Sequence, residues 1–159
     1  MANKDSNQQG RISPNSIESE ESVLGCMLIS NSAVSKVVDA LDANSFYSNP
    51  NSIIFTNIVE LFNENSTIDY ITLNDKLKKK KKIDIVGGAY YITGLSTKAP
   101  SAVNIDYYIQ IVKEKAILRH IINVGADIAS EAFDSQQDAV NILDKAEQTL
   151  FSISQKAQK

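Results

Sequence analysis

The sequence predicts an all-α protein: a compact globular bundle of short helices followed by a long antiparallel helical hairpin. Three observations lead there. Apolar residues recur three and four positions apart in each long segment, which is helical period and not strand alternation. Proline and glycine punctuate residues 14–100, at Pro14, Pro50, Gly87-Gly88 and Pro100, and so keep the helices there short. Beyond Pro100 there is no proline, and two helical stripes follow one another across a single break at Phe133-Asp134-Ser135.

Composition narrows the class. A length of 159 residues is about one domain. With 43% hydrophobic and 22% charged residues, a packed core is expected. The net charge of −3 argues against holding nucleic acid through phosphate contacts, so autonomous DNA binding should be weak or absent. Cys26 is the single cysteine, which excludes an internal disulfide. Its place among Leu24, Met27 and Leu28 predicts a small core residue. One cysteine and one histidine cannot supply a zinc site, so no metal is expected. There is neither a secretory h-region nor a long uncharged apolar run, so neither export nor membrane spanning is indicated and the cytoplasm is the default compartment.

Each element has its own justification. Residues 1–13 are polar and read as a disordered tail. Asn15 or Ser16 can cap a helix running to about Ser30, with Glu18 reaching back to Asn15 as a capping box. Glu18, Glu20 and Glu21 then suit the positive end of its dipole. Its buried side would carry Ile17, Leu24, Met27 and Leu28. A shorter helix follows Asn31, with Val34, Val37, Val38 and Leu41 inward. Residues 44–47 form a turn. Pro50 suits the first turn of a third helix, whose stripe is Ile54, Phe55, Ile58, Leu61 and Phe62. Thr72 with Asp75 marks a capping-box-like start for a fourth, while residues 68–71 could be extended. Gly87-Gly88 breaks the chain before a short helix through Tyr90, Tyr91 and Leu95.

Residues 104 to about 131 read as one helix, roughly 40 Å long at 1.5 Å per residue. Ile105, Tyr108, Ile109, Val112 and Ala116 line one face; Ile111, Leu118, Ile121, Ile122 and Ile128 lie around the others. The last helix, about Gln137 to Ser154, carries Ala139, Ile142, Leu143, Ala146, Leu150 and Ile153 as a stripe. A two-helix hairpin has too little core to stand alone, so its surplus apolar surface must meet the globular part or a second copy of the chain. Tyr108, Ile111, Leu118, Ile122, Ile142, Leu143, Ala146 and Leu150 are the candidate self-association surface. The expected layout is a tail over 1–13, a globular part over 14–100, a hairpin over 101–155 and the start of a linker over 156–159.

Other candidate sites read as structural. Lys78, Lys79, Lys80, Lys81 and Lys82 suit a solvated helix end, the alternative being weak contact with phosphate or an acidic partner. His120, the single histidine, reads as a surface or packing residue. Tyr90, Tyr91, Tyr107 and Tyr108 read as packing residues with hydrated hydroxyls. No glycine begins a Walker A loop, and no nucleophile–histidine–carboxylate set can be assembled, so no catalytic or cofactor-binding residue is assigned.

One string goes further. Pro14-Asn15-Ser16-Ile17-Glu18-Ser19-Glu20-Glu21-Ser22-Val23-Leu24-Gly25 resembles the start of the N-terminal domain of bacterial replicative DNA helicases of the DnaB type. Further landmarks occur in that family's order. Ser45-Phe46-Tyr47 is similar to its Asp-Phe-Tyr, and Pro50 through Ile54-Phe55 to the start of its next helix. Ile68-Asp69-Tyr70-Ile71-Thr72-Leu73 resembles Ile-Asp-Leu-Ile-Thr-Leu. Val86 to Ile92, Ala99 to Ile105 and Tyr108 to Arg119 complete the series. Ser19 replaces the usual alanine, and the lysine run fills a segment normally more mixed.

The resemblance implies a helical collar domain. It implies hairpins that pair between subunits, three pairs crowning a hexamer, and docking of the C-terminal domain of a DnaG-type primase or of a helicase loader. The RecA-like motor, with its ATP and magnesium, has no counterpart in these residues, so no cofactor is expected here. A stand-alone motor-less adaptor or loader-like protein, and an unrelated helical DNA-binding regulator, are the alternative readings. The acidic balance counts against the regulator. We expect no ATP turnover and no strand separation when the purified chain is mixed with ATP and forked DNA; turnover surviving repeated purification would contradict the motif reading.

Overall fold

Helix α1 (Ile17–Ile29) is enclosed by other helices along nearly its whole length. From Ser19 to Leu28 only Glu21 escapes full burial. Val23, Leu24, Cys26, Met27 and Leu28 supply the apolar contacts. Between them stand Ser19, Ser22 and Gly25, small enough for neighbours to approach. Gly25 marks the closest approach. A Cβ there would lie 2.3 Å from the Leu95 carbonyl oxygen, so only glycine admits this crossing. The computed structural model describes residues 11–134 and 136–158. The predicted tail therefore falls mostly outside the described residues, as does Ser135 of the predicted break.

Around α1 lie α2 (Asn31–Ala40), a 3-10 turn (Ala43–Ser45), α3 (Asn49–Asn63), α4 (Tyr70–Lys79), α5 (Gly88–Lys98), α6 (Ile105–Phe133) and α7 (Ala139–Ala157). No strand occurs among the described residues, and the all-α expectation holds. The head core joins residues of α1 to α5 with Ile105, Ile109 and Val112 from the first turns of α6. Phe46 and Phe55 pack with ring centroids 4.9 Å apart. Cys26 is fully buried, and desolvation pushes its thiol up from its ordinary value. That is the core role expected of it.

Several local expectations are corrected. The cap of α1 is Ser16, whose Oγ accepts from the Ser19 N–H at 3.3 Å. Glu18 thus sits one position too early for a box, and Asn15 instead donates to the Ser13 carbonyl. Ile17 is only half-buried. At α4 the box is Asp69 with Thr72, not Thr72 with Asp75. Asp69 Oδ1 accepts from the Thr72 N–H at 2.8 Å, and the Asp69 N–H donates to Thr72 Oγ1 at 3.1 Å. This starts the helix at Tyr70, so within 68–71 Asp69 is extended as the cap while Tyr70 and Ile71 are helical, and no strand forms. Gly87 and Gly88 both adopt positive φ (102° and 79°), which turns the chain sharply into α5. Both hairpin helices run to Phe133 and Ala157, slightly beyond their predicted ends.

A carboxylate sits inside this core. Glu20 is 1% exposed. Its Oε2 accepts from the Tyr47 N–H at 2.8 Å; its Oε1 accepts from the Ser48 N–H at 3.2 Å and Asn51 Nδ2 at 3.1 Å. Asn51 then accepts the Tyr91 hydroxyl on Oδ1 at 2.6 Å. That hydroxyl also lies 3.3 Å from Glu21, which faces Lys98 at 3.4 Å. Burial, then the Glu21 charge, push the Tyr91 phenol well above its ordinary value. Tyr91 therefore departs from the hydrated-hydroxyl expectation, whereas Tyr90 and Tyr107 are exposed as expected. From sequence, Glu20 is expected only as a partner of the helix dipole. Its spacing of four and seven residues before Leu24 and Met27 was the missed signal, because it places Glu20 on the buried face. Glu20→Ala should cost about 3 kcal/mol, since three donors lose their acceptor, while Glu20→Gln should cost less. Urea unfolding of both variants, followed by circular dichroism, checks the order.

Candidate protein-interaction surface

The hairpin is built from two helices of unequal burial. α6 has 29 residues. Its first turns belong to the head core, so the predicted boundary near residue 100 does not separate two independent cores. Past Val112, Val124 is the one fully buried residue of α6, and Ile153 is the one on α7. A Lys145–Glu131 ion pair of 2.8 Å links the two helices. It is exposed, and such pairs add little.

The sequence-predicted surface residues separate into groups. Tyr108 is half-buried against the head core, so it faces the interior instead of a free surface. Ile111, Ile142 and Ala146 are half-buried. Leu118 and Ile122 on α6, and Leu143 and Leu150 on α7, are exposed; Leu143 is 61% and Ile122 is 53% exposed. Ile121, Phe133, Val140 and Phe151 extend these strips, and the last three were not singled out from sequence. Leu118, Ile121 and Ile122 fall three and four residues apart on α6; on α7 Val140 and Leu143 are three apart and Leu150 is seven beyond Leu143, with the charged Glu147 between them. Both helices therefore carry apolar side chains that none of the described residues covers. Contiguous exposure of this kind is uncommon on a monomer and marks interaction sites.

The lysine run is exposed from Lys78 to Lys82. Lys78 and Lys79 close the last turn of α4, and the rest follow it. Part of its charge is neutralised by neighbours. Lys79 pairs with Asp75 at 2.8 Å, and Lys80 pairs with Glu60 on α3. Lys76, just before the run, contacts Glu60 at 3.3 Å and Glu64 at 2.9 Å. The hydrogen bond from Lys80, with a smaller contribution from Lys76, holds the Glu60 carboxyl below its usual range.

Arg119 was not predicted as a site. Its Nη1 donates to the Pro14 carbonyl at 2.8 Å and its Nη2 to the Ser45 carbonyl at 2.9 Å. Its guanidinium lies over the Tyr47 ring, 5.6 Å from the centroid. One arginine so fastens the hairpin to the 3-10 turn and to the segment before α1. Its carbonyl partners lie 74 and 105 residues away, so sequence spacing held no signal of the contact. His120 beside it is exposed. Among the described residues no cluster of three or more His, Cys, Asp or Glu is placed to hold a metal, and no helix is long and apolar enough to cross a membrane.

These features define an all-helical head that carries a hairpin with uncovered apolar strips. A family model described as the DnaB-like helicase N-terminal domain matches residues 12–114. The replicative DNA helicase DnaB of Haemophilus influenzae is 40% identical over 149 residues, which cover 93% of this chain and 32% of that protein. The N-terminal domain of DnaB helicase from Mycobacterium tuberculosis superposes with a TM-score of 0.83 at 28% identity, covering 89% of this chain and 99% of that one. The corresponding domain from Helicobacter pylori, described together with its interactions with primase, shares the fold (TM-score 0.64, 24% identity, 73% of this chain and 90% of that one). The chain belongs to the DnaB-like helicase N-terminal domain family. It spans about a third of the length of the Haemophilus helicase.

Arg119→Gln should lower stability by about 2 kcal/mol, because it weakens charge-assisted bonds to two carbonyls. Thermal melts of the two proteins check this. A change within about 0.5 kcal/mol, as for an ordinary surface substitution, would mean that the head and hairpin do not depend on it.

Proposed function

We propose that this chain acts as the collar of a replicative DNA helicase, pairing through its hairpin with a second copy and offering the paired surface to a DnaG-type primase. The observation that carries this reading is the uncovered apolar surface on α6 and α7: Leu118, Ile121, Ile122, Leu143, Leu150 and Phe151. A solvated hairpin buried at only Val124 and Ile153 beyond the head gains most from a partner that is itself a hairpin. Family membership supports the assignment, and the interactions with primase described for the Helicobacter domain supply the partner.

In this reading residues 14–100 form the head and 101–155 the dimerising hairpin. Three pairs would ring a hexamer in the cytoplasm, with a helicase loader as a further partner. Unwinding, with its ATP and magnesium, belongs to a motor domain that these residues do not include. The collar's own work is to set subunit spacing and to hold primase at the fork.

Leu143→Glu and Ile122→Glu place a charge where an apolar contact is expected, at side chains already in water in the single chain. Each should lower self-association and primase affinity together, with helicity kept. Light scattering, circular dichroism and titration with the primase C-terminal domain read these three quantities. Unchanged mass and unchanged primase binding in folded variants would remove the proposal.

A further inference from the structure

A cleft of about 530 Å³ opens between the 3-10 turn and the hairpin, and its charge is opposite to that of the chain. Lys113, Arg119 and Lys156 line it, against the single carboxylate of Asp42. The chain as a whole carries −3. Asp42 is already engaged, because its Oδ1 accepts the Asn44 and Ser45 N–H groups at 2.9 and 3.1 Å. Arg119 donates to two neutral carbonyls, so its positive charge is not cancelled. Neither Lys113 nor Lys156 has a carboxylate within salt-bridge distance among the described residues. In the lysine run Lys79 and Lys80 are held by Asp75 and Glu60, while Lys78, Lys81 and Lys82, like the cleft's cations, have no carboxylate within salt-bridge distance among the described residues. What sets the cleft apart is shape: its three cations line one concave volume, whereas the run lies on an exposed helix end.

The walls also offer neutral recognition groups. Asn44 and Asn123 present side-chain amides that make no hydrogen bond among the described residues, and His120 presents an exposed ring. An amide both donates and accepts, as the edge of a nucleobase requires. On α6, Lys113, Ile117, His120 and Asn123 recur at four, three and three residues, so one helix face supplies a cation, an apolar contact, a ring and an amide. The volume falls within the range of small-molecule sites, about 300–1,000 Å³.

We propose that this cleft binds a nucleoside polyphosphate, with Lys113, Arg119 and Lys156 holding its phosphates and Asn44, His120 and Asn123 facing its base. The set is spread over residues 42–156 and has no contiguous phosphate loop, so the absence of a Walker A motif does not bear on it. The role is binding, without hydrolysis. Because the ligand would touch the 3-10 turn, α6 and α7 together, it would brace the hairpin against the head at the level of the Arg119 contact.

Isothermal titration calorimetry of the intact chain with ATP, GTP and inorganic tripolyphosphate tests this. One site per chain with Kd below about 1 mM is expected for at least one nucleotide, more tightly than for tripolyphosphate. The double substitution Lys113→Glu and Lys156→Glu should weaken binding by about tenfold or more. Lys78→Glu with Lys81→Glu, on the lysine run, should leave it unchanged. If Lys113→Glu impairs folding by circular dichroism, Lys113→Gln with Lys156→Gln takes its place with the same expected direction. Equal binding of nucleotide and tripolyphosphate would overturn the assignment to a nucleoside. No saturable binding, or binding lost only in the lysine-run variant, would overturn the site.

Discussion

The carboxylate of Glu20 is the point to which the head is tied. A buried carboxylate is costly unless donors surround it. Here two backbone N–H groups and one side-chain amide do so, and all three come from the segment that leads into and opens α3. The bond to Asn51 leads on through Tyr91 to α5. The bond to Tyr47 fixes the residue whose ring lies under Arg119 of α6. One buried carboxyl group on α1 thereby helps set the places of α3, α5 and the hairpin. Apolar packing alone would allow these helices to slide, because dispersion contacts have little directionality. Three hydrogen bonds of defined length do not.

The same arrangement explains why the hairpin projects as it does. Ile105, Ile109 and Val112 are anchored in the head, and Arg119 adds a last fastening two turns further along. Beyond that level the hairpin relies on Val124, Ile153 and half-buried neighbours such as Ile142 and Ala146. This is little apolar burial for the length of helix it must hold. The exposed strips are the surface on which the proposed pairing rests.

Charge is distributed in a way that composition hides. The lysine run looks like a strong cation patch, yet Asp75 and Glu60 pair with two of its five lysines, Lys79 and Lys80, and Lys76 just before it meets Glu60 and Glu64. The cleft beside the 3-10 turn is the reverse case. Its cations come from distant parts of the chain; Arg119 donates to carbonyl oxygens, and Lys113 and Lys156 make no ion pair among the described residues. Local sequence density of charge and local field in the folded protein are different quantities.

The sequence by itself determined the helical class, the number and order of the helices and most of the head core. Helical period, proline and glycine are local signals, and Leu24, Met27, Ile54, Phe55 and Ile58 lie buried where their spacing puts them. Family landmarks were legible for the same reason, as short strings in a set order. Capping was less legible, because Ser16 and Asp69 had near neighbours that could serve, and a one-residue change of cap moves the whole box. The tertiary structure alone decided what depends on residues far apart. It enclosed Glu20, fastened Arg119 to the Pro14 and Ser45 carbonyls, drew Tyr108 into the head, and left Leu143 and Ile122 in water although they belong to apolar stripes. A stripe says only that a face is apolar. Which neighbour covers that face depends on the angle at which the helices meet, and here that angle is set by Gly25, by Glu20 and by Arg119, contacts that no local period encodes.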